Sequence, residues 1–472
     1  MLYRIVQEHL ATFLARADAD PDRPGLPRFV RRELERFLSC GILCRGFVRV
    51  YCDACRASTL VAFSCKARAV CPSCTGRRMA EAAAHLVDHV LPEVPIRQWV
   101  LSLPHKVRFL IARHPDLNRL VRGVFVRAVQ SFYKRRARDL GTPDRRCGAV
   151  VCTQRFDSAL RLDVHFHALV LDGVYTGFGP YASPTFHNAA PLRDGEVEAL
   201  CRHIHALVSG HLQRLGYLDE HANLDPQAGT DLDELGTIHA AAIQGRIPFG
   251  PGAGMHTRLC DGEVPRHTAT KKKLCADHRG FSLHAAVRIG AGKRDRLERL
   301  ARYVTRPPFA QDRLKVTNAG DIVYRFRHPW RNGKTAVVMD PMTFLSRLAA
   351  QVPAPRLHVL TYHGVLAAAA CKREQIVPGH GEGDGIGAQS AGSKKSKPKP
   401  ARLRPERYCW AELLRRTFLI DVLACPCGAR RRVLRLVCDP AQIHRYLTHL
   451  GLPTQPPTRA PPRAVALGLP FG

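Results

Sequence analysis

Two close cysteine pairs, Cys52-x2-Cys55 and Cys71-x2-Cys74, constrain this chain more than any other feature. Each C-x2-C step makes a tight turn that presents two thiolates to one ion. Two such turns, 15 residues apart, complete a tetrahedral zinc site. Four thiolates leave no coordination position open, so the expected zinc is structural. Buried free cysteines would not explain why the spacing repeats. Seven of the 17 cysteines fall between Cys40 and Cys74. In a long chain whose N-terminus does not read as a secretory signal, that clustering favours metal over disulfides. Cys40, Cys44 and Cys65 are spare and able to substitute for a ligand. Near the C-terminus, Cys425-Pro-Cys427-Gly has a C-x-C spacing, one residue shorter than a zinc knuckle prefers. Cys409 and Cys438 are candidate partners there, and free cysteines fit that segment equally well.

At 472 residues the chain is too long for one compact core. Its 72 Lys and Arg against 40 Asp and Glu leave a net charge of +32. Such a surface repels itself and attracts phosphates, which points to a polyanionic partner ahead of a membrane surface. No run of about 18 apolar residues exists to span a bilayer. The N-terminal stretch reads instead as an amphipathic helix with Val6, Leu10, Phe13 and Leu14 on one side.

Helical patterns cover residues 1–38, 77–91 (stopped by Pro92), 116–139, 192–216 and 293–305. Strand patterns occupy 47–51 and 99–103. Residues 148–156 and 160–171 read as an antiparallel hairpin joined by a short Asp157-Ser158 turn. Along the second of these strands, Leu162, Val164, Phe166, Ala168 and Val170 fall on one face. Arg161, Asp163, His165 and His167 fall on the other. Two histidines two apart on a strand project in parallel, can share one metal ion, and leave its other positions open for chemistry. A half-buried strand with incidental histidines fits the same pattern. Gln154, on the preceding strand, is the candidate third ligand, with Asp163 as a partner of a histidine ring.

Tyr303 sits in an unusual place. Leu297, Leu300, Ala301 and Val304 form an apolar stripe on its helix, and Tyr303 lies roughly 110° from the centre of that stripe. It shares its side with Arg296, Arg299 and Arg306. A phenol beside guanidiniums can attack a phosphodiester while they hold neighbouring phosphates. A boundary tyrosine on a solvated basic helix is the plainer alternative.

The runs FSCKARAVCPSCTGRRMAE, RQWVLSLP, QRFDSALRLDVHFHALVLDGVY, GFSLHA, LARYVTRPP and YHGV occur in that order. Together they resemble the zinc-finger-containing transposases of the IS-ninety-one type, members of the HUH endonuclease superfamily. The resemblance spans residues 30 to 450. It implies an α+β fold: an HUH-type antiparallel sheet flanked by helices, an N-terminal zinc-binding module and a small C-terminal module. It also implies transposition through single-stranded DNA by a rolling-circle-like route with a covalent 5′-phosphotyrosine intermediate. The family's histidine motif falls on His165 and His167, its tyrosine on Tyr303, and its zinc ligands on Cys52, Cys55, Cys71 and Cys74. Some relatives carry a second tyrosine four residues after the first. Pro307 stands there, so the chain resembles the single-tyrosine branch.

The expected units are a helical and zinc-binding domain (1–92), a catalytic domain (93–345), its extension (346–375), a basic flexible linker (376–404) and a C-terminal module with a Pro-rich tail (405–472). The expected cofactors are structural Zn²⁺ and catalytic Mg²⁺ or Mn²⁺. The expected partner is single-stranded DNA at element ends and target, held in part by the zinc module and the linker. No membrane and no small-molecule substrate are expected, and the setting is the bacterial cytoplasm, with the nucleoid. Two rivals are a replication initiator or relaxase and a zinc-dependent DNA-binding regulator without catalysis.

Overall fold

The expected hairpin lies inside a larger antiparallel sheet, with the histidine strand near its middle. In the computed structural model, which describes residues 1–19, 24–219, 221, 233–262, 273–378 and 409–463, the fold is α+β. The sheet runs in the order Leu360–Gly364, Gly148–Phe156, Leu162–Leu171, Ile96–Ser102, Phe281–His284, Cys275–His278, and Arg288–Ile289 also pairs with the fourth of these strands. The alternation along Leu162–Leu171 explains this position. Leu162, Val164, Phe166, Ala168 and Val170 are all buried. Phe166 stacks on Phe125 of the Pro115–Arg136 helix, with ring centroids 6.4 Å apart. The hairpin loop is longer than the expected Asp-Ser turn. The Asp157 carboxylate accepts from the backbone N–H of both Ala159 and Arg161 at 2.9 Å. Leu160, at φ 60°, turns the chain back into the strand, which therefore starts at Leu162.

Other bounds moved for local reasons. The expected helix over 1–38 is two, Leu2–Ala17 and Arg28–Phe37, because Pro24 and Pro27 cannot continue a helix. The next helix, Pro72–His89, begins earlier than expected: Pro72 occupies its first turn directly after Cys71. The basic linker expected at 376–404 lies outside the described residues apart from 376–378.

The segment after the linker adds to the N-terminal region. Its strand Arg432–Val437 pairs with Phe47–Tyr51, which pairs in turn with Ser58–Ala62. Its Trp410–Phe418 helix packs on Pro72–His89.

Asp172, just after the histidine strand, ties three elements together. It accepts from Arg97 Nε and Nη2 (2.9 and 3.1 Å), the Tyr133 hydroxyl (2.7 Å) and Arg288 Nε (2.6 Å). Burial is the largest influence and raises its pKa, but the bonds and charge of Arg97 together with the bonds from Tyr133 and Arg288 outweigh it and hold the carboxyl below its ordinary value. Its stabilisation is therefore complete above about pH 4 and is lost as pH falls through the lower folded value. Asp172→Ala leaves the buried Arg97 guanidinium uncompensated and is expected to cost about 3–5 kcal/mol. Urea unfolding at neutral pH checks this; an unchanged midpoint would refute it.

Candidate active site and cysteine clusters

The sheet register brings Gln154 opposite His165 and Cys152 opposite His167, on one face. Both histidines are buried, at 9% and 4% exposure, so the polar face is covered rather than open to solvent. The cover is the helix Arg294–Val304, which carries Tyr303. Gln154 Nε2 donates to the carbonyls of Tyr303 (3.2 Å) and Val304 (2.8 Å), pinning the end of that helix to the sheet. The Tyr303 ring stands 5.8 Å from the His167 ring, centroid to centroid, at an interplanar angle of 87°. Tyr303 remains 41% exposed. Its outer face is therefore reachable from solvent while its inner edge meets the histidines.

Hydrogen bonds fix the orientation of both rings. His165 Nδ1 donates to the Asp163 carbonyl at 2.8 Å, which leaves Nε2 with a lone pair. The Gln98 amide Nε2 donates to His167 Nδ1 at 2.8 Å, so the neutral ring carries its proton on Nε2. The two Nε2 atoms face each other at 3.1 Å. The His167 Nε2–H thus points at the His165 Nε2 lone pair, and a divalent ion would take that proton's place once Gln98 turns its amide oxygen to accept from Nδ1. Metal–nitrogen bonds of about 2.1 Å at right angles would separate their ligand atoms by about 3.0 Å, so the pair fits one divalent ion. Burial, then the charges of His165 and Arg306, hold the His167 pKa well below its usual value, so the ring is neutral and able to ligate.

Among the described residues no third His, Cys, Asp or Glu joins the two histidines in a metal-ready cluster. Gln154 has its amide nitrogen engaged by the helix, and its Oε1 is buried with no partner among the described residues. That orphaned acceptor on the His165 face suits a third ligand. Asp163 Oδ1 is 3.9 Å from His165 Nδ1 and 3.1 Å from Arg108 Nε, an ion pair that engages this carboxylate. Cys152 joins the histidines in no metal-ready cluster among the described residues, and burial pushes its thiol up to about 12.

Gln98 escaped the sequence reading. It sits diagonally across from His167 on the neighbouring strand, and nothing in the pattern of one strand indicates which residue of the next will reach a ring. If the two histidines hold the expected Mg²⁺ or Mn²⁺ for DNA cleavage, Gln98→Leu is expected to raise the metal concentration needed for half-maximal cleavage by about 10- to 100-fold. A metal titration of cleavage checks this, and an unchanged midpoint would show that the amide does not orient the ring.

Of the expected phosphate contacts, Arg306 lies over the Tyr303 ring, 4.6 Å from its centroid, and Arg296 and Arg299 are exposed on the same helix. Beside this helix a cavity of about 660 Å³ opens between the Cys-rich region and the sheet. Arg68, Arg78 and His85 line it from one side, and Gln154, Arg306 and Tyr362 from the other.

The four cysteines expected to share one zinc do not meet. Cys71 and Cys74 cluster with Cys40 and Cys65; Cys52 and Cys55 cluster with Cys425 and Cys427. The sequence spacing failed here because each C-x2-C pair sits at a different place. Cys71 and Cys74 cap and enter the Pro72–His89 helix, whereas Cys52 and Cys55 sit in the turn of the 47–62 hairpin. In the first cluster, Sγ atoms lie 3.8 Å (Cys40–Cys74), 3.5 Å (Cys65–Cys74) and 3.5 Å (Cys40–Cys71) apart. Tetrahedral zinc with bonds of about 2.3 Å spaces its sulfurs by about 3.8 Å. Backbone N–H groups of Cys65 and Ala67 point at Cys40 Sγ and Cys65 Sγ, as thiolates require. The donor set fits structural zinc, with Cys40 and Cys65 in the places first assigned to Cys52 and Cys55. Cys409 and Cys438, the expected partners of Cys425 and Cys427, take no part in either cluster.

Comparison with known proteins finds two families. Residues 5–103 match the family described as "Transposase zinc-binding domain", and residues 148–375 match the one described as "Putative transposase". The two matches together cover more than half of the chain. No curated protein and no solved structure matches it. Among the described residues no helix is long and apolar enough to cross a membrane.

Proposed function

We propose, since this chain belongs to the IS-ninety-one type of transposases and so acts on DNA, that it cuts a single strand at the element's end with Tyr303 as nucleophile. The observation that carries this is the approach of the Tyr303 ring to His167, 5.8 Å between centroids, on a helix clamped by Gln154. An ordinary boundary tyrosine has no reason to lie against a histidine whose Nε2 faces that of a second. The Tyr303 oxygen attacks the scissile phosphorus; the Oη–P bond forms as the P–O3′ bond breaks, and the proton lost by the phenol is balanced by the one the 3′ oxygen gains as it leaves as a hydroxyl. The 5′-phosphotyrosine link keeps the bond energy, so a later 3′-hydroxyl can displace the tyrosine without ATP. That sequence is a rolling-circle-like transfer.

His165 and His167, with Gln154 Oε1 as third donor, would hold Mg²⁺ or Mn²⁺. When bound there, such an ion supplies charge neutralisation at the scissile phosphate. Arg306, Arg296 and Arg299 contact flanking phosphates, and the cationic cavity beside the tyrosine helix accommodates the strand. The Cys-rich region and the basic 376–404 segment add affinity that falls steeply with salt.

The test is incubation of the full chain with single-stranded oligonucleotides from the element's ends and Mn²⁺. A protein–DNA adduct that survives denaturation supports the reading. If every end yields free nicked strands and no adduct, covalent catalysis is refuted; if no end is cut, a non-catalytic DNA-binding role takes its place.

A further inference from the structure

The second cysteine cluster joins residues some 370 positions apart, and neither matched family reaches its C-terminal half, since the second match stops at residue 375. We propose that Cys52, Cys55, Cys425 and Cys427 hold a second zinc ion, which fastens the C-terminal segment to the N-terminal region.

Three independent observations carry this. The sulfurs are already arranged for it. Cys52 Sγ lies 3.6 Å from Cys427 Sγ and Cys55 Sγ lies 3.5 Å from Cys425 Sγ, and all four fall within 4.8 Å of one another. That matches the edge of about 3.8 Å expected for zinc held by four thiolates. Each pair is presented by a turn. Cys52 N–H donates to the Ala57 carbonyl at 2.9 Å, and Cys425 N–H to the Ala429 carbonyl at 2.9 Å. Gly428, at φ 87°, makes the second turn possible despite its short C-x-C spacing, because a side chain there would be strained.

The backbone holds the two turns in register. Tyr51, just before Cys52, pairs with Arg432, just after the second turn. Arg432 then reaches Asp53 between the first two cysteines, with bonds of 2.8 and 3.1 Å to its carboxylate. The strand pairing and the ion pair would align the thiolates even before metal enters.

The C-terminal segment also needs a staple. Among the described residues, the buried apolar cluster around its Arg432–Val437 strand consists of Phe47, Val437, Ile443 and Leu447, and Phe47 comes from the other end of the chain. Four buried side chains are too few to order a segment alone; natural modules of this size rely on metal or disulfides. Cys55 and Cys427 are exposed while three of the four ligands in the other cluster are buried, so the second ion is the more accessible one.

The test needs no DNA and so stands apart from the cleavage reading. The full chain is purified with zinc under reducing conditions, and its metal content and the alkylation of each cysteine by iodoacetamide are measured, with and without EDTA. Two zinc ions per chain are expected, with all eight clustered cysteines protected until chelator is added. EDTA should release the ion at Cys425 and Cys427 first. Cys427→Ser should lower the content to one ion and expose Cys52, Cys55 and Cys425, while Cys40, Cys65, Cys71 and Cys74 stay protected. Exposure of Cys52 by a change some 370 residues away is a result that no local role for Cys427 gives. One zinc per chain in the parent, equal labelling of Cys425 and Cys427 with and without EDTA, or an unchanged content in Cys427→Ser would each overturn the proposal. The parent measurements decide the matter even if the variant fails to fold.

Discussion

Tyr303→Phe is expected to abolish the covalent adduct with single-stranded end DNA and to lower cleavage by roughly 10³-fold or more. The substitution removes one oxygen. The ring keeps its place over His167 and beside Arg306, so folding and DNA affinity should change little. That makes the measurement clean: adduct formation is read on a denaturing gel, and binding by titration with the same oligonucleotide. Retention of the adduct in Tyr303→Phe would assign the nucleophile to another residue. Equal loss of binding and cleavage would mean that the phenol holds DNA rather than attacks it.

The second large effect is expected of His165→Ala combined with His167→Ala. Their Nε2 atoms face each other at 3.1 Å in a buried site, and no third histidine, cysteine or carboxylate among the described residues stands ready to replace them. Removing both rings takes away the paired nitrogen donors. Cleavage should fall on the order of 10²- to 10³-fold or more, as when a preorganised electrostatic partner of the transition state is lost. Raised Mn²⁺ should not restore it. A single Ala replacement should be partly rescued by Mn²⁺, since one nitrogen and the Gln154 oxygen remain. Zinc content should be unchanged in all of these variants, because the cysteine clusters are elsewhere. Double-variant cleavage at the parent's rate, with the parent's metal dependence, would remove the histidines from the mechanism.

Much of this site was legible before any coordinates. The alternation in RLDVHFHALVLDG assigned His165 and His167 to the face opposite Phe166, and the sheet has them there, because side-chain direction in a strand follows from parity alone. The helical phase of Tyr303 put it off the apolar stripe, and it is indeed 41% exposed beside Arg306. What parity left open was the covering of the polar face. A strand pattern says which way a side chain points but not what packs over it, so the burial of both rings, and the contact of His167 with the tyrosine helix, was not foreseeable. Gln154 illustrates the limit. Its closeness to His165 follows from the hairpin, but its grip on the Tyr303 and Val304 carbonyls spans about 150 residues and depends on how the helix docks.

The cysteines divide in the same way. By itself the sequence determined that each C-x2-C pair would present two thiolates from one short step; Cys52-x2-Cys55 does so in a hairpin turn and Cys71-x2-Cys74 at a helix start, while the shorter Cys425-Pro-Cys427 step also lies in a turn. It also determined the antiparallel hairpin and the side of the strand that bears the histidines. These are local outcomes, decided by backbone sterics and periodicity within a few residues. Only the tertiary structure decided which turn meets which. A four-thiolate site is satisfied by any two pairs brought to the right distance, so spacing cannot choose among partners. The choice fell to strand pairing between Phe47–Tyr51 and Arg432–Val437 and to the seat of Cys71 at a helix start, contacts whose energies come from distant parts of the chain.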